Sequence, residues 1–219
     1  MSDVVNIAVL VAAGGSGTRF GGNKLLAQFQ GEAVFTKCLR NLNGPGVRFV
    51  VATHTPELLS AHVPEGVEVL WAQGGDSRTA SVGNALEMLH QAGPLPPFVA
   101  VHDAARPLAT YALLQQCREK LLAEKADGVV AAHRVTDTIH QADANGCIQT
   151  TPLRSQLWAA ETPQLFRAQL LWDAYQMWRI GGLPPSDDAA LVHDVFPQSR
   201  IVLLENPQNN LKITYRHDL

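Results

Sequence analysis

The strongest constraint in this sequence is its rhythm. Short, continuously apolar runs recur along the chain, and helical stripes separate most of them. Residues 7–11, IAVLV, form the first run, and such runs suit strands buried on both faces of a parallel sheet. Phe35, Cys38, Leu39 and Leu42 then repeat at i, i+3, i+4 and i+7, which predicts an amphipathic helix, and Asn43-Gly44-Pro45-Gly46 stops it. Residues 47–53, 67–71, 98–102 and 128–132 read as further strands. A short helix starts at Pro56, and longer ones carry Val82, Ala85, Leu86 and Leu89, or Leu114, Cys117 and Leu121. Strand and helix at this pace predict an α/β fold. It is Rossmann-like, with a mostly parallel sheet and helices on both faces.

Beyond residue 132 the pattern changes. Residues 133–151 are polar, and Asp143-Ala144-Asn145-Gly146 reads as a hairpin turn, either in a projecting β-arm or in an ordinary surface loop. Helical signal returns over 169–178, residues 201–204 read as a strand, and 211–214 as another. The whole of 1–219 is expected to be one domain. With 17 Lys plus Arg against 20 Asp plus Glu, the net charge of -3 argues against a general nucleic-acid binder. Cys38, Cys117 and Cys147 have no metal-binding spacing and are expected as free thiols in a reducing cytoplasm. Met1-Ser2-Asp3 supplies no basic leader, and the apolar run at 4–13 is shorter than the ~20 residues a membrane span needs.

In open sheets of this kind, ligands bind beyond the carboxyl ends of the strands, so the loops there are informative. The first, AAGGSGTRFGGNK at 12–24, offers glycine amides at Gly14 and Gly15 and positive charge at Arg19 and Lys24, a phosphate-binding composition. It has no Gly-Lys-Ser/Thr, and Phe20 stands where a dinucleotide fingerprint needs its third glycine. A flexible turn with stray basic residues is the plainer alternative. The second, GGDSRTAS at 74–81, offers Arg78, Ser81 and a helix N-terminus for a base or phosphate, or simple capping. In the third, VHDAARP at 101–107, Asp103 suits Mg²⁺ and Arg106 a phosphate, although the two could equally pair with each other. His102, inside an apolar run, reads as a satisfied core residue. Arg154, Thr162, Asp187, Asp188 and Lys212 have no strong local context. By default Thr162-Pro163-Gln164 is a turn and Asp187-Asp188 a solvated helix start.

Taken in order, AAGGSGTRFGGNK, GGDSRTASVGNAL, VHDAARP, VTDT, TPQLF, SDDAALV and NNLKIT resemble the 2-C-methyl-D-erythritol 4-phosphate cytidylyltransferase family, over residues 12–214. The resemblance implies a Rossmann-like body and a homodimer formed through an extended arm around 133–156. It implies CTP as co-substrate, Mg²⁺, small-molecule substrates only, and a cytoplasmic enzyme of isoprenoid precursor synthesis. It puts Ala12, Ala13, Gly14, Gly75, Asp76 and Ser81 near the cytidine, and Arg19 and Lys24 on the triphosphate. Asp103, Arg106, Thr138, Arg154, Thr162 and Lys212 line the acceptor site, with Thr138 and Arg154 coming from the partner's arm. The sequence departs from the family pattern in its extra glycine at 14–15, in Asn23 where proline is common, in Phe20 where methionine is frequent, and in Arg216 where proline is usual.

The implied reaction is in-line attack by an acceptor phosphate oxygen on the α-phosphorus of CTP. Two other readings stay open: a cytidylyltransferase for another polyol phosphate such as ribitol 5-phosphate, and a non-catalytic nucleotide-binding module.

Overall fold

The computed structural model describes residues 6–15, 19–181 and 185–219. The reading of Met1-Ser2-Asp3 and three residues of the first loop, Ser16, Gly17 and Thr18, fall outside them. The apolar run becomes β1 (Ile7–Ala12), and the loop after it ends in a 3₁₀ turn at Lys24–Leu26. Asn23 caps that turn, its side chain accepting from the Leu25 N–H at 3.1 Å. A small hairpin of β2 (Gln28–Phe29) and β3 (Glu32–Ala33), which the sequence did not signal, leads into α1 (Val34–Leu42). Then follow β4 (Val47–Thr53), α2 (Pro56–Ser60), β5 (Val69–Gln73) and α3 (Arg78–Gln91). Next come β6 (Phe98–Asp103), α4 (Tyr111–Ala123) and β7 (Gly128–Arg134). The expected third strand therefore sits two residues later than its apolar run suggests.

Period-two burial explains the layering. Ile7, Val9 and Val11 face one core with Phe35, Leu39, Leu114 and Leu121, so α1 and α4 cover that side. Ala8 and Leu10 face the other, with Val82, Leu86, Leu171 and Tyr175. Each fully buried leucine contributes about 2 kcal/mol of burial free energy, and both faces of β1 are sealed.

The polar stretch forms a hairpin of β8 (Gln141–Ala142) and β9 (Ile148–Thr150), closed at Asp143, whose carboxylate accepts from Asn145 N and Cys147 N. Every residue over 136–151 is exposed. After a 3₁₀ turn at Arg154–Gln156, the chain enters β10 (Trp158–Arg167), then α5 (Ala168–Arg179), α6 (Asp188–Val195) and β11 (Ile201–Glu205), and a last 3₁₀ turn covers Arg216–Asp218.

The main sheet runs β11-β7-β10-β6-β1-β4-β5. Its pairs are parallel except those of β10, which lies antiparallel between β6 and β7.

β10 corrects the expected turn at Thr162-Pro163-Gln164. Those residues lie inside a ten-residue strand, where the register against β7 shifts between Ala160 and Gln164. Pro163 can sit in a central strand because the ladder is interrupted there. Residues 211–214 are not a strand either. Ile213 donates its N–H to Ala105 O at 2.8 Å and Lys212 reaches Asp103 Oδ2 at 2.6 Å, and these contacts hold the segment against the third loop. Asp187 does cap α6, but Asp188 is 1% exposed, so that helix start is not solvated. Cys38 and Cys117 are buried free thiols and Cys147 is exposed. Among the described residues no helix is long and apolar enough to cross a membrane.

Candidate active site

The strand order sets the site. The carboxyl ends of β6, β1, β4 and β5 lie side by side and deliver Asp103, Ala12, Thr53 and Gln73 to one edge. A cleft of about 630 Å³ opens there. From the first loop it is lined by Ala12, Ala13, Gly14, Gly15, Arg19 and Lys24; from the second by Gly75, Asp76, Ser77, Arg78 and Ser81; and elsewhere by His54, Asp103, Ala105 and Lys212. The sequence therefore named most of this lining from three separate loops.

The second loop is both cap and wall. Ser77 caps α3, its Oγ accepting from Ala80 N at 3.0 Å. Ser81 Oγ accepts from Gly75 N at 3.0 Å and donates to Ser77 O at 2.9 Å. A Cβ on Gly75 would lie 2.5 Å from Ala80 Cβ, so only glycine lets the loop press this closely on the helix.

Asp103 is the electrostatic centre. Its Oδ1 accepts from Arg78 Nε at 2.7 Å, its Oδ2 from Lys212 Nζ at 2.6 Å, and Arg106 Nε stands 3.8 Å away. Burial alone would raise its pKa, but Arg78 and Lys212 outweigh burial and hold the carboxyl well below the usual range. Arg78 also donates through Nη1 to Asp188 Oδ2 at 2.8 Å, and Tyr175 donates its hydroxyl to Asp188 Oδ1 at 2.6 Å. Burial opposes the charge on Arg78, but Asp188 and Asp103 more than offset it, so its pKa rises. The pairing of Asp103 with Arg106 weighed from sequence is thus the weaker contact, and Arg78 is the main partner.

Behind Asp103 the hydrogen bonds have one consistent direction. Asp103 N–H donates to Thr162 Oγ1 at 3.1 Å, Thr162 donates to His102 Nδ1 at 3.0 Å, and His102 Nε2 lies 3.1 Å from Arg106 O. A carbonyl only accepts, so Nε2 carries the imidazole proton and Nδ1 is free to accept. Burial pushes the His102 pKa down to about 4, which keeps the ring neutral and this direction intact.

Lys24 donates to Ile213 O at 3.0 Å. Burial, and then the nearby Lys212, lower its pKa. Arg216, at the departure from the family pattern, donates to Phe20 O at 3.2 Å and Gly21 O at 3.4 Å, tying the end of the chain to the first loop.

A second cleft, of about 570 Å³, holds Arg106, His133, Glu161, Asn206, Asn210 and Lys212. Glu161, 5% exposed, accepts from His133 Nδ1 at 2.7 Å, Asn210 at 2.9 Å and Asn206 at 3.0 Å. Lys212 lines both clefts. Thr138 and Arg154 line neither; both are exposed on the hairpin segment, where Arg154 donates to Thr136 O at 3.0 Å. Thr162 lines neither, but it supports Asp103 from behind.

The sequence reading missed His54, Glu161, Tyr175, Asn206 and Asn210, and gave Asp188 only a surface place. His54 had a usable signal, since it directly follows an apolar strand run. The others become neighbours only through β10, α5 and the C-terminal segment.

Among the described residues the side chains do not form a Mg²⁺ site in this arrangement. Both Asp103 oxygens are engaged by cations, and among the described residues no group of three His, Cys, Asp or Glu side chains is placed to hold a metal.

The sheet with its glycine loop, and a strand-end cleft carrying Arg19, Lys24 and Lys212, define an α/β nucleotidyltransferase class. The chain belongs to the 2-C-methyl-D-erythritol 4-phosphate cytidylyltransferase family, whose model matches residues 7–219. A 2-C-methyl-D-erythritol 4-phosphate cytidylyltransferase of Prochlorococcus marinus subsp. pastoris is 36% identical over 218 residues, covering 96% of this chain and 95% of its own. The crystal structure of that enzyme type from Thermus thermophilus superposes with a TM-score of 0.71 at 26% identity, covering 98% and 95% of the two chains. A 4-diphosphocytidyl-2C-methyl-D-erythritol synthase from Anaerococcus prevotii has a TM-score of 0.83 at 21% identity, covering 97% and 92%, a likeness of fold.

Proposed function

We propose that this chain transfers CMP from CTP to 2-C-methyl-D-erythritol 4-phosphate, giving 4-diphosphocytidyl-2-C-methyl-D-erythritol and pyrophosphate, as one cytidylyltransferase domain. The observation that carries this is the position of Lys212 between two clefts, one rich in glycine amides and the other rich in polar side chains.

CTP occupies the first cleft. The amides of the first loop, Arg19 and Lys24 neutralise its triphosphate and stabilise the charge gathering on the leaving pyrophosphate. Mg²⁺ accompanies CTP as part of that substrate, chelated by its own phosphates. The acceptor lies in the second cleft with its phosphate near Lys212 and Arg106. A phosphate monoester has a second pKa of about 6 and is largely dianionic near neutral pH, so its oxygen attacks the α-phosphorus without a general base. The attack forms one P–O bond and breaks the bond to the β-phosphate. Asp103 fixes Arg78 and Lys212, which is a positioning effect.

The arm carries Thr138 and Arg154 to the acceptor cleft of a second copy of the chain, making a homodimer. Exposed Ile139, Ile148 and Leu153 on the arm supply apolar surface for that contact. The enzyme works in the cytoplasm, on small molecules. The experiment is pyrophosphate release with CTP, ATP, GTP or UTP against 2-C-methyl-D-erythritol 4-phosphate and ribitol 5-phosphate. Turnover with CTP and the first acceptor supports the reading, and turnover only with ribitol 5-phosphate replaces it.

A further inference from the structure

The cleft is chemically unequal along its length. Its Asp103 side, at the ends of β6 and β1, gathers Lys24, Lys212 and Arg19. Its other side, at the ends of β4 and β5, holds His54, Gly74, Gly75, Asp76 and Ser81. Adjacent strands are ~4.8 Å apart, so the end of β4 lies ~10 Å from that of β6. Arg78 starts from the β5 side, but its guanidinium is turned to Asp103 and Asp188. A triphosphate is drawn to the cations, which leaves the nucleobase to the His54 side.

His54 is an exposed residue on that side, with its ring close against the glycine backbone. A Cβ on Gly74 would lie 2.9 Å from the imidazole Cδ2 and Nε2, so the ring lies directly against the Gly74 backbone. A Cβ on Gly14 would lie 3.7 Å from Cδ2 and 3.1 Å from Ser81 Oγ. The ring is also oriented: Nε2 lies 3.2 Å from Gly75 O, and Nδ1 lies 3.4 Å from Gln73 Nε2. Since Gly75 O only accepts, Nε2 carries the proton and Nδ1 accepts from the Gln73 amide. The ring is thereby held from both sides, between two loops that both face the ligand.

The geometry points to His54 as the residue that restricts the donor cleft to a single-ring base, its imidazole taking the volume beside Gly14 and Gly74 that the second ring of a purine needs. The proposal rests on the first cleft being the nucleotide site. The hydrogen bond to Gly75 O sets the ring's position, and the bulk of the ring does the excluding.

The test is calorimetric binding of CTP, ATP and GTP to the full-length protein, wild type against His54→Ala and His54→Leu. Binding separates base selection from the transfer reaction. Removing the wall is expected to narrow the CTP-over-ATP affinity ratio at least about 10-fold in His54→Ala, the scale of discrimination by pocket volume. His54→Leu, which keeps bulk without the hydrogen bond, is expected to keep excluding purines. An unchanged ratio in a folded His54→Ala protein overturns the proposal. If His54→Ala fails to fold, His54→Ser carries the same comparison, an unchanged CTP-over-ATP ratio overturning the proposal and a narrowed one supporting it. Wild-type protein that binds CTP but transfers to no acceptor would sink the proposed reaction and leave the His54 comparison readable.

Discussion

Arg78 Nε and Asp103 Oδ1 meet at 2.7 Å, although the residues start from the ends of β5 and β6, with β4 and β1 between those strands in the sheet. The pair bridges the cleft floor, and the second aspartate on Arg78, Asp188, anchors it to α6. Cutting this bridge at Asp103 leaves Arg78 and Lys212 without their shared partner. Asp103→Asn is expected to cost about 3 kcal/mol or more of stability, the scale for breaking a buried ion pair from one side. Urea unfolding midpoints measure this, and an unchanged midpoint would show the bridge to be energetically idle.

Acid should weaken the fold in two stages. The imidazole of His102 titrates at 6.5 when free and at about 4 in the fold. Between those values the unfolded chain binds more protons, so stability rises with pH there and is lost on acidification, by up to about 3 kcal/mol. Asp103 acts lower. Its folded pKa lies below its ordinary 3.8, so its contribution is complete above that value and drains away as pH falls further. Denaturation curves at pH 7, 5 and 4 check the first stage, which His102→Asn should flatten, and curves taken below pH 3.8 check the second.

Thr162 joins the Asp103 amide to His102. Thr162→Val keeps the shape, removes the hydroxyl and strands two buried groups. A loss of about 1–3 kcal/mol is expected in chemical denaturation. Thr162→Ser, which keeps the hydroxyl, should recover most of it.

Lys24→Ala and Arg19→Ala are each expected to lower kcat by roughly 10²–10³, as for removal of one preorganised charge-stabilising donor. Steady-state pyrophosphate release is the measurement. Near-wild-type turnover by folded Lys24→Ala protein would remove Lys24 from the mechanism.

The arm offers a complementation test. Lys24→Ala damages the body of the site and Arg154→Ala the arm. If the arm serves a second copy, mixing the two weak variants should restore activity by forming a hybrid with one intact site. No gain on mixing, with mixed dimers verified, would confine each site to a single chain.

The sequence by itself determined the layered α/β body, because continuous apolar runs such as IAVLV can be satisfied only by burial on both faces of a sheet. It also determined the three loops, since glycines, capping serines and basic residues declare themselves locally. Contacts between distant segments were decided by the tertiary structure alone. Pro163 disguised β10 as a turn, because a proline is compatible with a central strand only where the ladder breaks, and a register shift is invisible without its partner strand. Asp188 looked solvated until Arg78 and Tyr175, 110 and 13 residues away in the chain, closed over it. Charge pairing at such separations costs loop closure that only the folded core offsets, so no local pattern encodes it.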